Sequence, residues 1–370
     1  MLKKKGKTVF VGMSGGVDSS VAAYLLKRSG HCVIGIFLRC WSGPDAGGVG
    51  VNCAERDAED ARRVAEVLKI PFYVWDFERE YEQKVVEYMV QGYREGITPN
   101  PDVACNREIK FGLFLKRAKL LGADHVATGH YARIKSSKSG MKDGREYRLS
   151  AAKDKNKDQS YFLWTLTQRD LKHVLFPIGV YLKSEVREIA RRANLPTAEK
   201  KDSQGICFLG KITIEDFLRS YISPKKGAVL SVKNEILGEH EGAHLYTVGQ
   251  RRGIGNIKHQ KGMNTHKPLY VSAKDMAMNT VTVAEENDHK ALCRDTITLK
   301  NINWVSRAPR DNEKILVRTR YRQALREAVF KKDGKNCILK FTTPQRFVAP
   351  GQSAVVYVKS GEMLGGGVIL

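Results

Sequence analysis

Short apolar runs alternate with helix-period segments in the first half of the chain. Four runs predict buried strands, at Thr8–Met13, Cys32–Leu38, Phe72–Phe77 and His125–Thr128. Helical spacing of apolar residues follows the second run, at Ala58, Ala61, Val64, Ala65 and Leu68. Strands that alternate with helices indicate βαβ units and a parallel sheet covered on both faces. In such sheets ligands bind beyond the carboxyl ends of the strands.

The pattern changes beyond about residue 210. A stretch rich in Gly and Lys with short strand candidates indicates a small connecting module. From Leu269 onward, short strand-like runs from LYVSAKD to SAVVYVKSG follow at near-regular spacing, with turn residues between them. This spacing predicts an all-β sandwich or barrel. We therefore expect three domains, at residues 1–210, 211–268 and 269–370.

The charge balance of the chain predicts a polyanionic partner. The 370 residues include 63 Lys plus Arg against 40 Asp plus Glu, a net charge of +23. Such an excess favours nucleic acid binding over a merely solubilising role. The basic N-terminus lacks the long apolar run of a signal peptide, and no stretch approaches the length of a membrane span. We therefore expect a cytoplasmic protein without membrane association.

The loop after the first predicted strand carries the clearest chemistry. The segment GMSGGVDSS runs from a strand into a helix, so its backbone N–H groups and the helix dipole point at one anion. It lacks both the Gly-Lys-Ser/Thr of a P-loop and the G-x-G-x-x-G spacing. We expect Asp18, in the first helical turn, to cap the helix and to help place Mg²⁺. The segment resembles the loop of the PP-loop ATP pyrophosphatases, which cut ATP between the α and β phosphates and adenylate a substrate oxygen.

Two cysteines have distinctive settings. Cys105 lies in TPNPDVACNREIKFG, at a predicted helix N-terminus beside Arg107 and Lys110, which should lower the pKa of its thiol. Asp102 precedes it by three residues and could exchange protons in the same pocket. Cys207 lies in KKDSQGICFLG, on a Gly-hinged loop after two lysines, where a thiol can be reactive and can move.

The other cysteines give no framework. Seven cysteines without a C-x-x-C pair signal neither a set of disulfides nor a zinc or iron–sulfur site. Cys32, Cys293 and Cys337 lie in or beside strand-like runs, which favours a role as small buried hydrophobes. The contexts of Cys40 and Cys53 favour neither role.

Three further stretches are candidates for contact with RNA. In KILVRTRYRQ, a continuous strand would place Arg318, Arg320 and Arg322 on one face, as a phosphate-binding row or a plain solvated face. In NKDQSYFLW, a polar loop precedes a predicted helix and suits either neighbouring bases or a helix cap by Asp158. His130 in ATGHYAR has no ligand-type partner at metal-binding spacing, so no metal site is expected.

These motifs together resemble the tRNA-specific 2-thiouridylases. The segments GMSGGVDSSVAAYLL, TPNPDVACNREIKFG, ATGHYAR, KDQSYFLW, KKDSQGICFLG, TVGQRRGIG, TRYRQ and PGQSAVVY have the order and approximate spacing of that family. The resemblance implies ATP-dependent thiolation of the wobble uridine of tRNA. It implies a PP-loop α/β catalytic domain, a connecting domain and a C-terminal β-barrel that contacts the anticodon arm. It also implies a persulfide donor protein of a sulfur relay, and we expect a monomer.

The resemblance also implies roles for single residues. Cys207 would receive sulfur as a persulfide, Cys105 would release it and form a disulfide with Cys207, and Asp102 would be the acid or base. The ATP contacts would be Gly12, Met13, Ser14, Gly15, Gly16, Val17, Asp18, Ser19, Leu38 and Gly129. The tRNA contacts would be Asn100, Pro101, Asp102, His130, Lys157, Asp158, Gln159, Arg320, Tyr321 and Gln352. Leu38 stands where family members often carry Met, which a backbone contact to adenine tolerates.

Two other functions fit parts of the sequence. One is an ATP pyrophosphatase that acts on a small molecule, and this class needs neither paired reactive cysteines nor a basic β-domain. The other is a non-catalytic RNA-binding protein that uses nucleotide as a switch, and it predicts binding without turnover.

Overall fold

The fold was analysed in a computed structural model, which describes residues 6–41, 53–138, 144–201, 213–254, 256–257, 268–286 and 289–370. The strands in these ranges are β1 Thr8–Gly12, β2 Cys32–Arg39, β3 Phe72–Asp76, β4 His125–Ala127, β5 Ala132–Lys138, β6 Arg145–Ala151, β7 Val174–Leu175, β8 Gly227–Ser231, β9 Ile236–His240, β10 Asn256–Ile257, β11 Leu269–Asp275, β12 Thr280–Glu285, β13 Cys293–Trp304, β14 Lys314–Arg318, β15 Arg326–Asp333, β16 Asn336–Arg346, β17 Ser353–Tyr357 and β18 Glu362–Ile369.

The α-helices in the same ranges are α1 Val17–Arg28, α2 Cys53–Val67, α3 Glu78–Tyr81, α4 Glu87–Arg94, α5 Pro101–Cys105, α6 Leu115–Leu120, α7 Gln168–Leu171, α8 Lys183–Arg192, α9 Ile214–Arg219 and α10 His289–Leu292. Two π-helical segments, Glu82–Val86 and Asn106–Phe114, join α3 to α4 and α5 to α6. Short 3-10 helices lie at Ser160–Leu163 and Ala243–Leu245. No helix in the described ranges has the length and apolar character that crossing a membrane requires.

The first sheet is parallel and five-stranded, in the order β3-β2-β1-β4-β7. The central strand β1 buries Val9, Phe10 and Val11 almost completely, as expected for a sheet covered on both faces. The four strands predicted from the apolar runs are confirmed. The chain runs outward from β1 through β2 to β3 and then returns to the other side of β1 with β4. This reversal places a crevice at the carboxyl ends of β1 and β4, which is where open α/β sheets bind ligands.

The second sheet has the order β10-β9-β8-β12-β11. It has its own buried cluster, which includes Val229, Leu237, Val271 and Val283. Strands β11 and β12 belong to it through the antiparallel pair β11–β12 and the parallel pair β12–β8. This sheet therefore continues past residue 268, where the sequence pattern placed the start of the barrel. Residues 213–286 are called the middle unit below.

The third sheet closes on itself as a six-stranded barrel. Its order is β13-β16-β15-β14-β17-β18, and β18 pairs back with β13. The expectation of a parallel-sheet catalytic domain, a connecting domain and a C-terminal β-barrel is confirmed. Closure removes the free strand edges that an open sheet would expose.

A hairpin from the first half of the chain is attached to the barrel. Strands β5 and β6 pair with each other, and β6 pairs with β18 through Met363↔Leu149 and Glu362↔Ser150. Buried hydrogen bonds join the same two parts of the chain, since the Tyr161 hydroxyl donates to the Ser353 carbonyl at 2.8 Å and Trp164 Nε1 donates to Ser353 Oγ at 3.0 Å. The parallel-sheet domain and the barrel therefore share one core.

Candidate active site

The loop between β1 and α1 is a tight turn that two glycines make possible. Gly15 has φ +72°, and a Cβ built there would lie 2.2 Å from the Asp57 carbonyl oxygen of α2. Gly129, just after β4, lies against the same turn, and a Cβ there would lie 2.6 Å from the Ser19 backbone nitrogen. Side chains at either position would force the loop away from its neighbours. The turn therefore packs directly on α2 and on the chain after β4, in contacts that only glycine allows at these two positions.

Serine hydroxyl groups stabilise this turn from within. The Ser14 N–H donates to Ser19 Oγ at 3.1 Å, and Ser19 Oγ donates in turn to the Gly16 carbonyl at 3.1 Å. Ser20 Oγ donates to the same carbonyl at 2.8 Å. Gly16 is the N-cap of α1 and gives no side-chain cap. The helix begins with backbone donors and a positive dipole end at the crevice, which is an arrangement suited to phosphate.

Asp18 does not cap the helix, contrary to the expectation from the sequence. Its two carboxylate oxygens each lie 2.8 Å from Lys183 Nζ, and the Tyr131 hydroxyl donates to Oδ1 at 2.8 Å. The cap position belongs to Gly16, two residues earlier, so the Asp18 side chain points across to α8 instead. The carboxylate is thereby held as one half of an ion pair at the edge of the loop.

The remaining nucleotide candidates are placed by the sheet. Met13 and Val17 are buried beneath the loop, and the Met13 N–H donates to the Ile36 carbonyl at 2.8 Å. Leu38 lies near the carboxyl end of β2, where its backbone pairs with Trp75. Gly12 ends β1. All of these positions lie at the same edge of the sheet as the turn.

The second group of candidates begins at Asn100. Asn100 is the N-cap of α5, and its side chain accepts a hydrogen bond from the Val103 N–H at 3.2 Å. Pro101 takes the first helical position, where its missing N–H costs nothing. The helix thus starts four residues before Cys105, so the prediction that Cys105 opens the helix is wrong. Asp102 occupies the first turn instead, and Cys105 is buried at 5% exposure.

Asp102 and His130 have shifted pKa values with a shared neighbour. Burial raises the pKa of Asp102, and the nearby charge of Lys110 opposes this shift. Burial holds the pKa of His130 well below its usual range, and Lys110 adds to this effect. The Nδ1 of His130 lies 2.7 Å from Thr128 Oγ1. One lysine therefore lies close enough to influence the charge state of both groups.

Aromatic contacts connect the two groups of candidates. The Phe111 ring, on the helical run after Cys105, lies 5.8 Å from the His130 ring. His130 follows Gly129, which lies against the turn between β1 and α1. The helical run that continues from α5 therefore contacts the chain just after β4, beside the turn between β1 and α1.

The expected row of three arginines is not formed. Strand β14 ends at Arg318, and Arg322 has φ +63° in the turn that follows, so strand alternation does not extend that far. Arg318 Nη1 lies 3.1 Å from Asp158 Oδ2, and the Asp158 side chain is 1% exposed. Asp158 Oδ1 also accepts from the Ala152 and Ser160 N–H groups. This pair is part of the shared core, which accounts for both side chains without an RNA partner.

Arg320, Tyr321 and Gln352 of the barrel contact other parts of the chain. Tyr321 packs on Phe162 with ring centroids 4.4 Å apart. Gln352 Nε2 lies 2.9 Å from the Thr98 carbonyl oxygen and 3.1 Å from that of Pro99. Burial lowers the pKa of Arg320, and its Nη2 lies 3.4 Å from the Val248 carbonyl oxygen. Gln352 therefore lies beside the loop that leads to Asn100, while Tyr161, which shares a side-chain hydrogen bond with Asn100, lies 6.1 Å from the Tyr321 ring.

The structure also describes two other predicted tRNA contacts, Gln159 and Lys157. The Gln159 side chain accepts from the Tyr131 N–H at 3.0 Å, so it supports the residue after His130. Lys157 is half-buried on the loop before the 3-10 helix.

Cys207 lies outside the described residues, and so does its expected disulfide with Cys105. Lys200, which the sequence placed near Cys207, binds Asp57 and Asp60 of α2 at 2.7 and 2.6 Å.

Lys183 is a site residue that the sequence motifs did not reveal. It lies 165 residues from Asp18, so no local motif joins the two. One signal was available, because a lysine at the first position of a helix opposes the helix dipole and requires a nearby anion. Asp18 is that anion.

Among the residues that the structure describes, no group of three or more His, Cys, Asp or Glu side chains could hold a metal ion.

Comparison with known proteins matches the whole chain. The family model described as "tRNA methyl transferase HUP domain" matches residues 7–211, the "tRNA methyl transferase PRC-barrel domain" matches residues 215–285, and the "Aminomethyltransferase beta-barrel domain" matches residues 294–369. The chain is 42% identical to "tRNA-specific 2-thiouridylase MnmA 2" of Aliarcobacter butzleri, over 99% of this chain and 98% of that protein.

Two further relatives carry the same description. The chain is 44% identical to "tRNA-specific 2-thiouridylase MnmA" of a Janthinobacterium species, over 98% of this chain and 97% of that protein. It is 45% identical to the protein of that name from Streptococcus thermophilus, over 98% of this chain and 94% of that protein. Similarity of this length includes all three sheets.

Proposed function

The chain belongs to the tRNA-specific 2-thiouridylase family, and from this membership we propose that it replaces the 2-oxygen of the wobble uridine in tRNA with sulfur in an ATP-dependent reaction. The observation that carries the proposal is that the helical run with Asp102 and Cys105 contacts His130, next to Gly129 and the turn between β1 and α1. A phosphate-binding loop alone would fit many nucleotide enzymes. A half-buried carboxyl group and a thiol three residues later on the same helix fit an activation step followed by sulfur transfer.

ATP is the proposed nucleotide, bound at the residues from Gly12 to Ser19 with Leu38 and Gly129. The backbone N–H groups and the positive dipole end at the first turn of α1 suit a pyrophosphate group. The loop itself has no lysine, and Lys183 brings the missing cation to Asp18. We propose that Mg²⁺ arrives with ATP, and that Asp18 is the carboxylate within reach of it. Such an ion would neutralise phosphate charge during the transfer.

The proposed first step joins the base to AMP. The uracil O2 attacks the α phosphorus of ATP, the bond to the β-phosphate oxygen breaks, and pyrophosphate leaves. Asp102 accepts the N3 proton of uracil during this attack, because its raised pKa makes it a better base than an ordinary carboxylate. His130, held neutral by burial, is available as a hydrogen-bond partner for the base. A wobble base has to leave the anticodon stack to reach this pocket.

The proposed second step transfers sulfur. The terminal sulfur of a Cys207 persulfide adds to C2, and the C2–O bond to AMP breaks. The Cys105 thiolate then attacks Sγ of Cys207, the sulfur–sulfur bond breaks, and its electron pair stays on the sulfur bound to C2. The products are 2-thiouridine and a Cys105–Cys207 disulfide, which a thiol reductant returns to two thiols. A persulfide donor protein then has to reload Cys207.

The proposed partners follow from this chemistry. The anticodon arm would lie across Arg320, Tyr321 and Gln352 of the barrel, with Lys157 and Gln159 near the neighbouring bases. We propose that the enzyme acts as a monomer in the cytoplasm, where tRNA is modified and thiols are kept reduced.

Mass spectrometry of tRNA tests the proposal. Unmodified tRNA is incubated with the protein, ATP, Mg²⁺ and a persulfide donor, and the wobble nucleoside is then analysed. We expect a mass gain of one sulfur-for-oxygen replacement that requires ATP and disappears with Asp102→Ala. A gain of one methyl group would instead support the name that two of the matching domain models carry.

The same assay separates the alternatives. An ATP pyrophosphatase for small molecules would release pyrophosphate at the same rate with and without tRNA. A nucleotide-switched RNA-binding protein would bind tRNA and change neither substrate. A Cys207→Ser protein that thiolated tRNA at the normal rate would overturn the assignment of the persulfide.

A further inference from the structure

The four-residue loop before α5, residues 97–100, is held mainly by other parts of the chain. Thr98 lies in this loop, two residues before the N-cap Asn100, and is 9% exposed. Its N–H donates to the Pro350 carbonyl at 2.8 Å, and its carbonyl accepts from Gln352 Nε2 at 2.9 Å. Its hydroxyl donates to Thr247 Oγ1 at 3.1 Å. The barrel thus binds both backbone groups of Thr98, and the middle unit binds its side chain.

The neighbouring residues extend the same arrangement. Gln352 Nε2 also reaches the Pro99 carbonyl at 3.1 Å, so the two hydrogens of this amide serve two consecutive carbonyl groups. Pro99 packs on α4, where a Cβ at Gly92 would lie 2.8 Å from Pro99 Cγ. Asn100 then caps α5 through Val103. The direction in which α5 leaves the loop is therefore set at Thr98 and Pro99.

We propose that Thr98 is a positioning residue, through which the barrel and the middle unit together hold Asp102 and Cys105 in their reactive arrangement. The proposal rests on the proposed function for the roles of Asp102 and Cys105. It also gives Gln352 a task inside the protein, since its amide nitrogen is already used by the loop. An RNA donor would meet Gln352 at Oε1.

The physical reason is the sensitivity of catalysis to small displacements. Proton transfer and nucleophilic attack need their partners within hydrogen-bond or near-attack distance, and a misplacement of about 1 Å can slow a reaction roughly a hundred-fold. Asp102 lies in the first turn of α5, at the start of a helical run that continues through the π-helical segment into α6. The N–H groups of a first helical turn have no partners within the helix, so the position of this turn depends on the contacts of the loop that precedes it.

A double-mutant cycle tests the contact with the middle unit. Thr98→Val and Thr247→Val each remove one hydroxyl of the pair and keep the side-chain shape. We expect each variant to lower kcat for tRNA thiolation roughly ten-fold, with KM for tRNA nearly unchanged. The double variant should be no slower than either single variant, because both remove the same hydrogen bond. Independent, multiplying effects would overturn the proposal.

Tyr93→Phe is the matched control. Tyr93 shares a side-chain hydrogen bond with Thr247, so the change removes a bond of Thr247 but leaves the one to Thr98. We expect kcat close to the wild-type value. If Tyr93→Phe slowed the reaction as much as Thr247→Val, the effect of Thr247 would not pass through Thr98 and the proposal would fail.

A second measurement does not depend on activity. Hydrogen exchange of the amides of residues 102–106 is followed in the full chain without tRNA. We expect exchange several-fold faster in Thr98→Val and in Gln352→Glu, which keeps the side-chain length but removes both donors. Unchanged exchange together with a raised KM for tRNA would make both residues plain RNA contacts. If the wild-type chain failed to thiolate tRNA, the proposed function would be wrong. Faster exchange in these variants would still show that Thr98 and Gln352 hold the start of α5 in place.

Discussion

At the scale of single residues, the charge of Lys110 affects the pKa of an acidic group, Asp102, and of a basic group, His130. Lys110 favours the ionised form of Asp102 and disfavours the protonated form of His130. Both effects favour the forms that the proposed reaction uses, a carboxylate that can accept a proton and an imidazole that carries no charge. Neither effect depends on contact between Asp102 and His130.

Lys110→Met should move the acid side of the pH–rate profile to higher pH. Asp102 has to be ionised to accept a proton, so the rate falls as the pH drops through its pKa. Burial already raises that pKa, and loss of the lysine charge removes the influence that opposes the rise. The profile is measured in single turnovers at saturating ATP and tRNA. Arg107→Met is the control, because Arg107 is exposed and binds Glu108. An equal shift in both variants, or a shift to lower pH, would contradict this assignment.

Gly15→Ala should abolish ATP-dependent pyrophosphate release and reduce stability by more than about 1 kcal/mol. The residue has positive φ, and the added Cβ would collide with the Asp57 carbonyl. Gly16→Ala is the neighbouring control, since Gly16 has φ −95° and the nearest atom to its added Cβ is 3.6 Å away. We expect the thermal midpoint of Gly16→Ala to stay near that of the wild type. Equal losses of stability in both variants would show that the clash at Asp57 is not the cause.

At the scale of elements, the sequence predicts best where burial is complete. Strands β1, β2, β3 and β4 were predicted within one residue at either end, because a parallel sheet covered on both faces produces continuous apolar runs. The tight turn at Gly15, between a strand and a helix, was predicted because backbone geometry requires its glycines, and its binding of phosphate stays a prediction. Asp102 and Cys105 were predicted as neighbours, although the helix begins earlier than expected.

The elements that failed depend on distant contacts. The hairpin of β5 and β6 has exposed polar residues in β5, so its pairing with β18 leaves little trace in the sequence. The arginine row failed because strand alternation stops at Arg318, where a positive φ a few residues later turns the chain. Lys183 and Thr98 are important through partners more than a hundred residues away, and no local pattern encodes such pairs.

Arg318→Met should destabilise the protein by about 3 kcal/mol, because it leaves the buried Asp158 carboxylate without its cation. Arg322→Met is the matched control. Arg322 is exposed and lies over the Tyr321 ring, so its loss should change stability by less than about 1 kcal/mol. Urea unfolding of the two variants gives the comparison. If the two variants were equally stable and bound tRNA equally weakly, Arg318 and Arg322 would instead belong to one RNA-binding row.

At the scale of the whole molecule, the charge of +23 should dominate the affinity for tRNA. Neutralising phosphates releases bound counterions, so we expect the dissociation constant to rise by roughly a hundred-fold or more between about 50 and 200 mM salt. Filter binding over a KCl series measures the slope, and thermal unfolding over the same series controls for loss of structure. A flat dependence would mean that the basic excess faces away from the RNA.

The pairing of β6 with β18 also bears on how the protein is made. Leu149 pairs with Met363, and Thr98 binds Pro350 and Gln352, all more than 200 residues later in the chain. A ribosome therefore has to make the middle unit and most of the barrel before the first domain can bury this surface. Until then apolar groups are exposed to aggregation and to chaperones. A chain cut short near its end would carry every ATP-loop residue and both cysteines, yet it would lack the contacts that complete the core and hold the catalytic loop.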